Sequence, residues 1–133
     1  MAIVFNKTTV PTNGSIVYNG TSLKTVVYNG VTVWRKTTTQ SVSKRTSIFY
    51  WQNASNVKRE ENVSYGITYL STPNVTSKTY ANDGGYPVWE YGTLHGWGVT
   101  PYADHAYCWM TGSSGSHNTN GHVEFTVSGS VYA

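Results

Sequence analysis

Residues 16–36 read IVYNGTSLKTVVYNGVTVWRK, and this stretch decides the expected fold because its phrase Val-Tyr-Asn-Gly occurs twice. An Asn-Gly pair between apolar runs is the strongest short-range signal for a β-hairpin, since both central residues of a type I′ turn need positive φ. Two such turns predict a tight three-stranded meander with strands at Ser15–Tyr18, Thr21–Tyr28 and Val31–Lys36.

The register of this meander follows if each turn is a two-residue loop. The directly opposed pairs are then Tyr18–Thr21, Ile16–Leu23, Tyr28–Val31 and Val26–Val33. Both faces of such a meander are largely apolar, whereas a half-solvated sheet is apolar on one face only. Either a β-bulge shifts one strand, or a partner covers both faces. We interpret the meander as an assembly element, with a predicted interface of Val17, Val26, Tyr28, Val31 and Val33.

Length and composition indicate a single all-β domain. The 133 residues can bury one core, and 14% of them are aromatic, which is too many for a disordered chain. Only 11% are charged, against about 25% in an average soluble protein. With its many Asn-Gly and Gly/Pro turns, the chain predicts an antiparallel β-sandwich of jelly-roll-like type, with barrel closure as the alternative. We expect one β domain over residues 1–133, made of a meander at 1–36 and a sandwich body at 40–133 with aromatic-rich loops.

Periodicity predicts the strands of the body. Alternating or continuous apolar residues favour strands at Ser41–Trp51, Val63–Tyr69, Val75–Tyr80, Pro87–Tyr91, His105–Thr111 and Gly121–Tyr132. The polar segment Gln52–Asn62 is typical of an exposed loop, and about a dozen residues before His105 are expected to form a long loop. In the last strand, Val123, Phe125, Val127 and Val131 share the predicted core face.

Few carboxylates are available for catalysis. A glycosidase needs two facing carboxyl groups, and Glu90 with Asp104 is the one pair in an aromatic setting. Cys108 with His95 or His105 is a second candidate, of the cysteine nucleophile type. No glycine-flanked elbow surrounds that cysteine, so a buried, inert thiol is expected instead.

The histidines do not show the spacing of a metal site. His117 and His122 flank a Gly/Ser/Asn segment, so they could bridge a metal in an oligomer, or simply lie exposed in a loop. We predict that the chain is not an enzyme and that it uses no metal and no cofactor.

The segment from Tyr86 to Met110 is dense in aromatic residues. Tyr and Trp can stack on the C–H faces of sugar rings and also carry a polar group. The predicted glycan-binding residues are Trp97, Tyr102, Tyr91 and Asp104. Trp89 and Trp109 lie in predicted strands and are expected in the core.

Charge and hydropathy limit the partners. The net charge is +3, and the basic residues are not concentrated on one element beside stacking side chains, so no nucleic-acid partner is predicted. The sequence MAIVFNKTTV lacks the basic and apolar regions of a signal peptide, which predicts synthesis in a host cytoplasm. No apolar run approaches about 20 residues, so membrane insertion is not expected.

The repeated phrase of residues 16–36 resembles a short repeat of bacteriophage tail and other virion proteins, in which Tyr/Val-Asn-Gly hairpins close on Val-Trp. The resemblance implies a structural component located in the virion, as part of a tail, baseplate or fibre or as a capsid decoration. It also implies a homo-oligomer, with a trimer as one arrangement, that contacts other virion proteins. The aromatic segment adds a host-surface glycan as an expected partner. The alternative function is a carbohydrate- or receptor-binding module that uses the aromatic segment 86–109.

Overall fold

The computed structural model describes residues 3–5, 8–85 and 92–133, and these ranges contain strands but no helix. Accordingly, the described part of the chain has no helix long and apolar enough to cross a membrane. The predicted strand Pro87–Tyr91 lies outside the described residues. The strands are β1 Ile3–Phe5, β2 Thr8–Val10, β3 Ile16–Tyr18, β4 Thr21–Leu23, β5 Thr25–Tyr28, β6 Val31–Arg35, β7 Thr37–Arg45, β8 Phe49–Trp51, β9 Ala54–Ser64, β10 Asn74–Gly85, β11 Gly92–Pro101, β12 His105–Ser114 and β13 Thr119–Tyr132.

The chain divides into two compact units, Met1–Gln40 with Ser130–Ala133, and Ser41–Gly129. The C-terminal residues belong with the N-terminal unit, where the N–H of Ala133 donates to the carbonyl of Lys36 over 3.0 Å. The guanidinium of Arg35 lies 3.7 Å from the ring centroid of Tyr132. This return of the chain end was not part of the predicted division at residues 36–40.

The first unit is built of three antiparallel two-stranded sheets, β1–β2, β3–β4 and β5–β6. Asn19 and Gly20 have φ of 54° and 78°, and Asn29 and Gly30 have φ of 54° and 77°. These are the left-handed conformations that a type I′ turn requires. Both Asn-Gly hairpins are therefore confirmed, with Tyr18 opposite Thr21 and Tyr28 opposite Val31.

The continuous three-stranded meander and the Val26–Val33 pair were wrong. A bend at Lys24 separates β4 from β5, and a register shift pairs Val26 with Trp34. The bulge inserts Val33 as an extra residue, so that consecutive Val33 and Trp34 are both buried. In a regular strand neighbouring side chains point to opposite faces, so the bulge is what permits this double burial.

The second unit contains two antiparallel sheets. One has the strand order β10–β13–β7, with β8 also pairing with β13, and the other has the order β11–β12–β9. Each sheet contributes alternate side chains to a common core. The fully buried apolar residues include Ala106, Cys108 and Met110 of β12 and Val123, Phe125 and Val127 of β13. The fold is thus all-β and sandwich-like, as predicted; its jelly-roll connectivity stays a prediction.

Most of the predicted core face of the last strand is confirmed, because Val123, Phe125 and Val127 are buried, whereas Val131 is only half-buried. The predicted long strand Ser41–Trp51 was wrong, since it is divided into β7 and β8. Thr46 lies between them and is bound to β13 by two hydrogen bonds: its N–H donates to the carbonyl of Val123, and its Oγ1 accepts from the N–H of Val123.

Two predicted loops are strands. Gln52–Asn62 was expected to be a loop, but most of it belongs to β9, on which Lys58 and Glu60 are exposed while Arg59 and Glu61 are half-buried on the opposite face. The long loop before His105 was also wrong, because β11 occupies Gly92–Pro101. Polar and glycine-rich runs can form strands when the neighbouring strand supplies the hydrogen bonds and the packing.

One predicted strand is largely a loop. β9 ends at Ser64, so the expected strand Val63–Tyr69 continues as irregular chain in which Tyr65 and Tyr69 are both buried. Their N–H groups donate to the carbonyls of Asp104 and Ala103, over 3.1 and 2.8 Å. The ring of Tyr65 packs edge-on against Phe125, with centroids 6.3 Å apart. The period-two tyrosines thus reflect anchoring to the core rather than strand pairing.

Met110→Ala is expected to destabilise the protein by about 2–5 kcal/mol, because Met110 is fully buried and its removal leaves a cavity between the sheets. Thr100→Ala is the control, since Thr100 is exposed on the adjacent strand β11. Urea denaturation followed by tryptophan fluorescence measures both changes. Equal stabilities of the two variants would contradict the placement of Met110 in the core.

Candidate ligand-binding face

Strand β12 separates two chemically different faces of its sheet. Its side chains alternate between buried and half-buried along the whole strand. The buried set includes the apolar Ala106, Cys108 and Met110, whereas the half-buried set on the outer face contains His105, Tyr107 and Trp109. Together with Tyr102 in the turn between β11 and β12, we call these three residues the Trp109 face. Alternate side chains of a strand are about 6.6 Å apart, so the rings form a line along β12.

The indole of Trp109 lies against a strip of β11 that has no side chains. Trp109 pairs directly with Gly98, and a Cβ placed on Gly98 would meet the indole Nε1 at 2.9 Å. A Cβ on Gly96 would lie 3.4 Å from the far edge of the same ring. The two glycines therefore let a large flat ring lie on the outer surface of the sheet instead of standing away from it.

Tyr102 and His105 form a stacked pair at the end of the β11–β12 hairpin, with ring centroids 4.9 Å apart and an interplanar angle of 14°. The Nδ1 of His105 lies 2.7 Å from the carboxylate of Asp104. That hydrogen bond holds the pKa of Asp104 below its usual value. Asp104 and Tyr102 are both exposed, so this end of the face offers a ring and a carboxylate side by side.

Tyr107 occupies the middle of the Trp109 face. Its hydroxyl donates a hydrogen bond to Glu60 on β9, and this bond lowers the pKa of Glu60. The Nζ of Lys58 lies 3.5 Å from the same carboxylate and 5.7 Å from the ring centroid of Tyr107. The ionic groups around Tyr107 are thus paired with each other at the surface.

The predicted glycan-binding residues are only partly brought together. Tyr102 and Asp104 lie at the end of the Trp109 face, and Tyr91 lies outside the described residues. Trp97 is directly opposite the buried Met110, which places it on the inner side of the sheet. There its ring centroid is 6.3 Å from that of Tyr80.

Sequence reasoning exchanged the positions of two tryptophans. Trp97 was expected at the ligand site and Trp109 in the core, but Trp109 is the one on the outer face. The signal that could have shown this is the alternation of Ala106, Cys108 and Met110 with larger rings, because the small residues mark the side on which another sheet packs. Trp89 lies outside the described residues.

The predicted assembly residues also differ in placement. Val17, Tyr28 and Val31 are 63%, 72% and 60% exposed on the hairpins. Val26 is half-buried, and Val33 is buried within its own chain as a consequence of the bulge. Val33 is therefore not available to a partner in this conformation.

The described residues do not bring together either pair of catalytic candidates. Glu90 lies outside them, so its distance from Asp104 is undefined. Cys108 points into the core, and the pair member His105 is on the opposite face of the same strand. The other histidine, His95, has its Nε2 2.9 Å from Oγ of Ser113. No cysteine–histidine nucleophile is assembled among these described side chains.

His122 is buried rather than exposed, and it forms a polar cluster with two carboxylates. Its Nδ1 is 2.5 Å from Oδ2 of Asp83, and its Nε2 is 2.7 Å from Oε1 of Glu124. Each ring nitrogen of His122 thus faces a carboxylate oxygen, which accepts hydrogen bonds. Arg45 adds a guanidinium group, 3.4 Å from Asp83.

This cluster is a cross-link within the β10–β13–β7 sheet. Asp83 lies at a register shift of β10, and its partners come from β13 and β7. His117 is exposed and is not part of the cluster. Within the described residues, no group of three or more His, Cys, Asp or Glu side chains is arranged to hold a metal ion.

Neither the known family models, nor the curated proteins, nor the solved structures gave a match to this chain.

Asp83→Asn is expected to cost about 2 kcal/mol of stability, because Asp83 contacts both His122 and Arg45 and its side chain is only 13% exposed. Glu124→Gln should cost less than about 1 kcal/mol, since its carboxylate is 53% exposed and bonds to His122 alone in this cluster. Urea denaturation at neutral pH measures both values. A cost for Glu124→Gln equal to or above that for Asp83→Asn would contradict the central role of Asp83.

The Cys108 thiol is expected to be inert in the folded protein. Burial raises its pKa to about 11, so at pH 8 it is a protonated and inaccessible thiol, whereas the nucleophile is the thiolate. Ellman's reagent should react slowly with the native chain and rapidly after unfolding in urea. Rapid reaction of the native chain at pH 8 would revive the cysteine nucleophile hypothesis.

Proposed function

We propose that the chain is a non-enzymatic structural protein of a bacteriophage virion, which assembles into a homo-oligomer through its Asn-Gly hairpins. The observation that carries the proposal is the exposure of large apolar side chains on both hairpins. The virion location rests on the resemblance of residues 16–36 to hairpin repeats of phage tail and other virion proteins.

The hairpins repeat the same exposed pair. Val17 and Tyr18 are 63% and 72% exposed, and the equivalent Val27 and Tyr28 are 58% and 72% exposed. Val31, which is 60% exposed, lies directly opposite Tyr28 across the second hairpin. Burying a Val side chain is worth about 1.5 kcal/mol or more. Tyr28 and Val31 thus form a contiguous exposed apolar group, which usually marks an interaction site.

Hairpin size supports the same conclusion. β3–β4 and β5–β6 are each sheets of only two strands. An isolated two-stranded hairpin is at best marginally stable in water, and a further strand or surface is needed to stabilise it. A partner that covers Tyr18, Tyr28 and their valines would supply that surface.

A second copy of the chain is the partner that fits best. The two hairpins present the same Val-Tyr pair ten residues apart, so each copy offers two equivalent patches. Self-association of identical patches is the commonest route to a symmetric oligomer. The open edges of the hairpin strands offer backbone N–H and C=O groups for pairing across such an interface.

The variant Val17→Thr/Val27→Thr/Val31→Thr tests the assembly. Threonine keeps the β-branched shape, so strand formation is retained while each contact becomes polar. Sedimentation equilibrium should show an oligomer for the unmodified chain, and for the variant an association weakened by about tenfold per substitution. Ile48→Thr is the control, because Ile48 is exposed outside the hairpins and should leave association unchanged.

Two results would contradict this proposal. One is an unmodified chain that is monomeric at high micromolar concentration. The other is a triple-threonine variant that associates as tightly as the Ile48→Thr control.

A carbohydrate-binding module is the second candidate function, and the Trp109 face is the observation that favours it. Aromatic rings set in a solvated sheet surface can stack on the C–H groups of sugars. Exposed polar residues beside the rings can bond to sugar hydroxyls. The two functions are compatible, because the hairpins and the Trp109 face belong to different units.

A further inference from the structure

We infer that the Trp109 face binds an extended, uncharged oligosaccharide that lies along β12, with Trp109 as its main stacking platform. This inference rests on the second candidate function, and it names the residues and the ligand class. The predicted ligand residues Trp97 and Tyr91 are not part of it.

The shape of the face favours a chain of sugars over a single one. Tyr102 with His105, then Tyr107, then Trp109 present aromatic groups in succession along one strand. Alternate positions on a strand are about 6.6 Å apart, a spacing suited to consecutive rings of a linear glycan. A single monosaccharide would contact only one of these platforms.

Two glycines of β11 lie directly beneath the indole of Trp109 and hold it flat against the sheet. Gly98 is covered by the indole, and Gly96 lies beneath its outer edge. Pre-positioned rings lose little conformational freedom when a ligand stacks on them, so more of the contact energy appears as affinity. A Trp held flat also presents a broad surface to a sugar ring that lies parallel to the sheet.

Charge on the face favours an uncharged ligand. Lys58 is paired with Glu60 over 3.5 Å, and His105 with Asp104 over 2.7 Å. The lysine on this face is thus compensated by a carboxylate, and a second carboxylate lies at its end, so an acidic polysaccharide or a nucleic acid finds no uncompensated lysine or arginine here.

Neutral polar groups line the same face on both sides of Tyr107. Asn62 on β9 and Thr100 on β11 are its direct cross-strand partners, and both are exposed. An amide and a hydroxyl on the two sides of a ring are suited to bonding the equatorial hydroxyls of a stacked sugar. An apolar protein partner, in contrast, would leave these groups unsatisfied on burial.

Binding is tested with four soluble hexasaccharides: cellohexaose, xylohexaose and mannohexaose as neutral probes, and hexagalacturonate as the acidic comparison. Isothermal titration calorimetry with the full chain should show binding of at least one neutral hexasaccharide at millimolar concentration, and weaker binding of the matching monosaccharide. Tighter binding of hexagalacturonate than of every neutral probe would overturn the uncharged-ligand inference.

Three variants locate the site. Trp109→Ala should weaken binding of the neutral probe by about tenfold, the loss typical of a central contact residue. Gly98→Ala should weaken it similarly, because the new Cβ displaces the indole without removing it. Tyr50→Ala is the control: Tyr50 is an exposed aromatic on β8, in the other sheet, and its loss should leave binding unchanged.

Folding is checked by circular dichroism, and Trp109→Tyr serves as a conservative variant that keeps a ring on the face and should retain most of the binding. Binding that persists in both Trp109→Ala and Gly98→Ala overturns the location while leaving a carbohydrate-binding function in place. Absence of binding to all three neutral probes overturns the inference together with the carbohydrate-binding function. Neither result alters the sedimentation test of the hairpins.

Discussion

The constraint on which the second unit depends is the alternation of side chains along β12. This strand pairs with β9 on one side and β11 on the other, so it is the middle of its sheet. Its inward residues Ala106, Cys108 and Met110 are fully buried, while its outward residues are rings and hydroxyls. Successive side chains of a strand point to opposite faces. The same backbone therefore forms part of the core on one side and the candidate ligand face on the other.

Two glycines of β11 give the outer face of this sheet its candidate ligand-binding shape. Gly96 and Gly98 have the same orientation as Trp109 on the neighbouring strand, and their missing side chains leave the space that the indole occupies. On the inner side of the same strand, Trp97 helps to cover the edge of the core beside Tyr80. Strand β11 thus supports the indole of Trp109 on its outer face and supplies an aromatic contact to the core on its inner face.

The first unit follows a different principle, because its hairpins are determined by local turn chemistry and not by a large core. Asn-Gly turns form I′ geometry at little cost in strain, and each leaves a Val-Tyr pair exposed. The bulge at Val33 modifies the second hairpin, since it turns Val33 and Trp34 inward together. An apolar surface therefore remains on Val17, Tyr28 and Val31, on which the proposed assembly depends, while Val33 is withdrawn from it.

The sequence by itself determined the all-β class, both Asn-Gly turns and the core face of β13, because positive φ and strict alternation are local properties. Only the tertiary structure decided that Ala54–Ser64 and Gly92–Pro101 are strands, since their polar and glycine-rich residues need neighbouring strands for hydrogen bonds. It also decided which tryptophan faces outward. Periodicity shows that the two faces of a strand differ, but it does not show which face another sheet covers. A single bulge exchanges the two faces for all the residues beyond it. The Trp109 face is for this reason a product of long-range pairing.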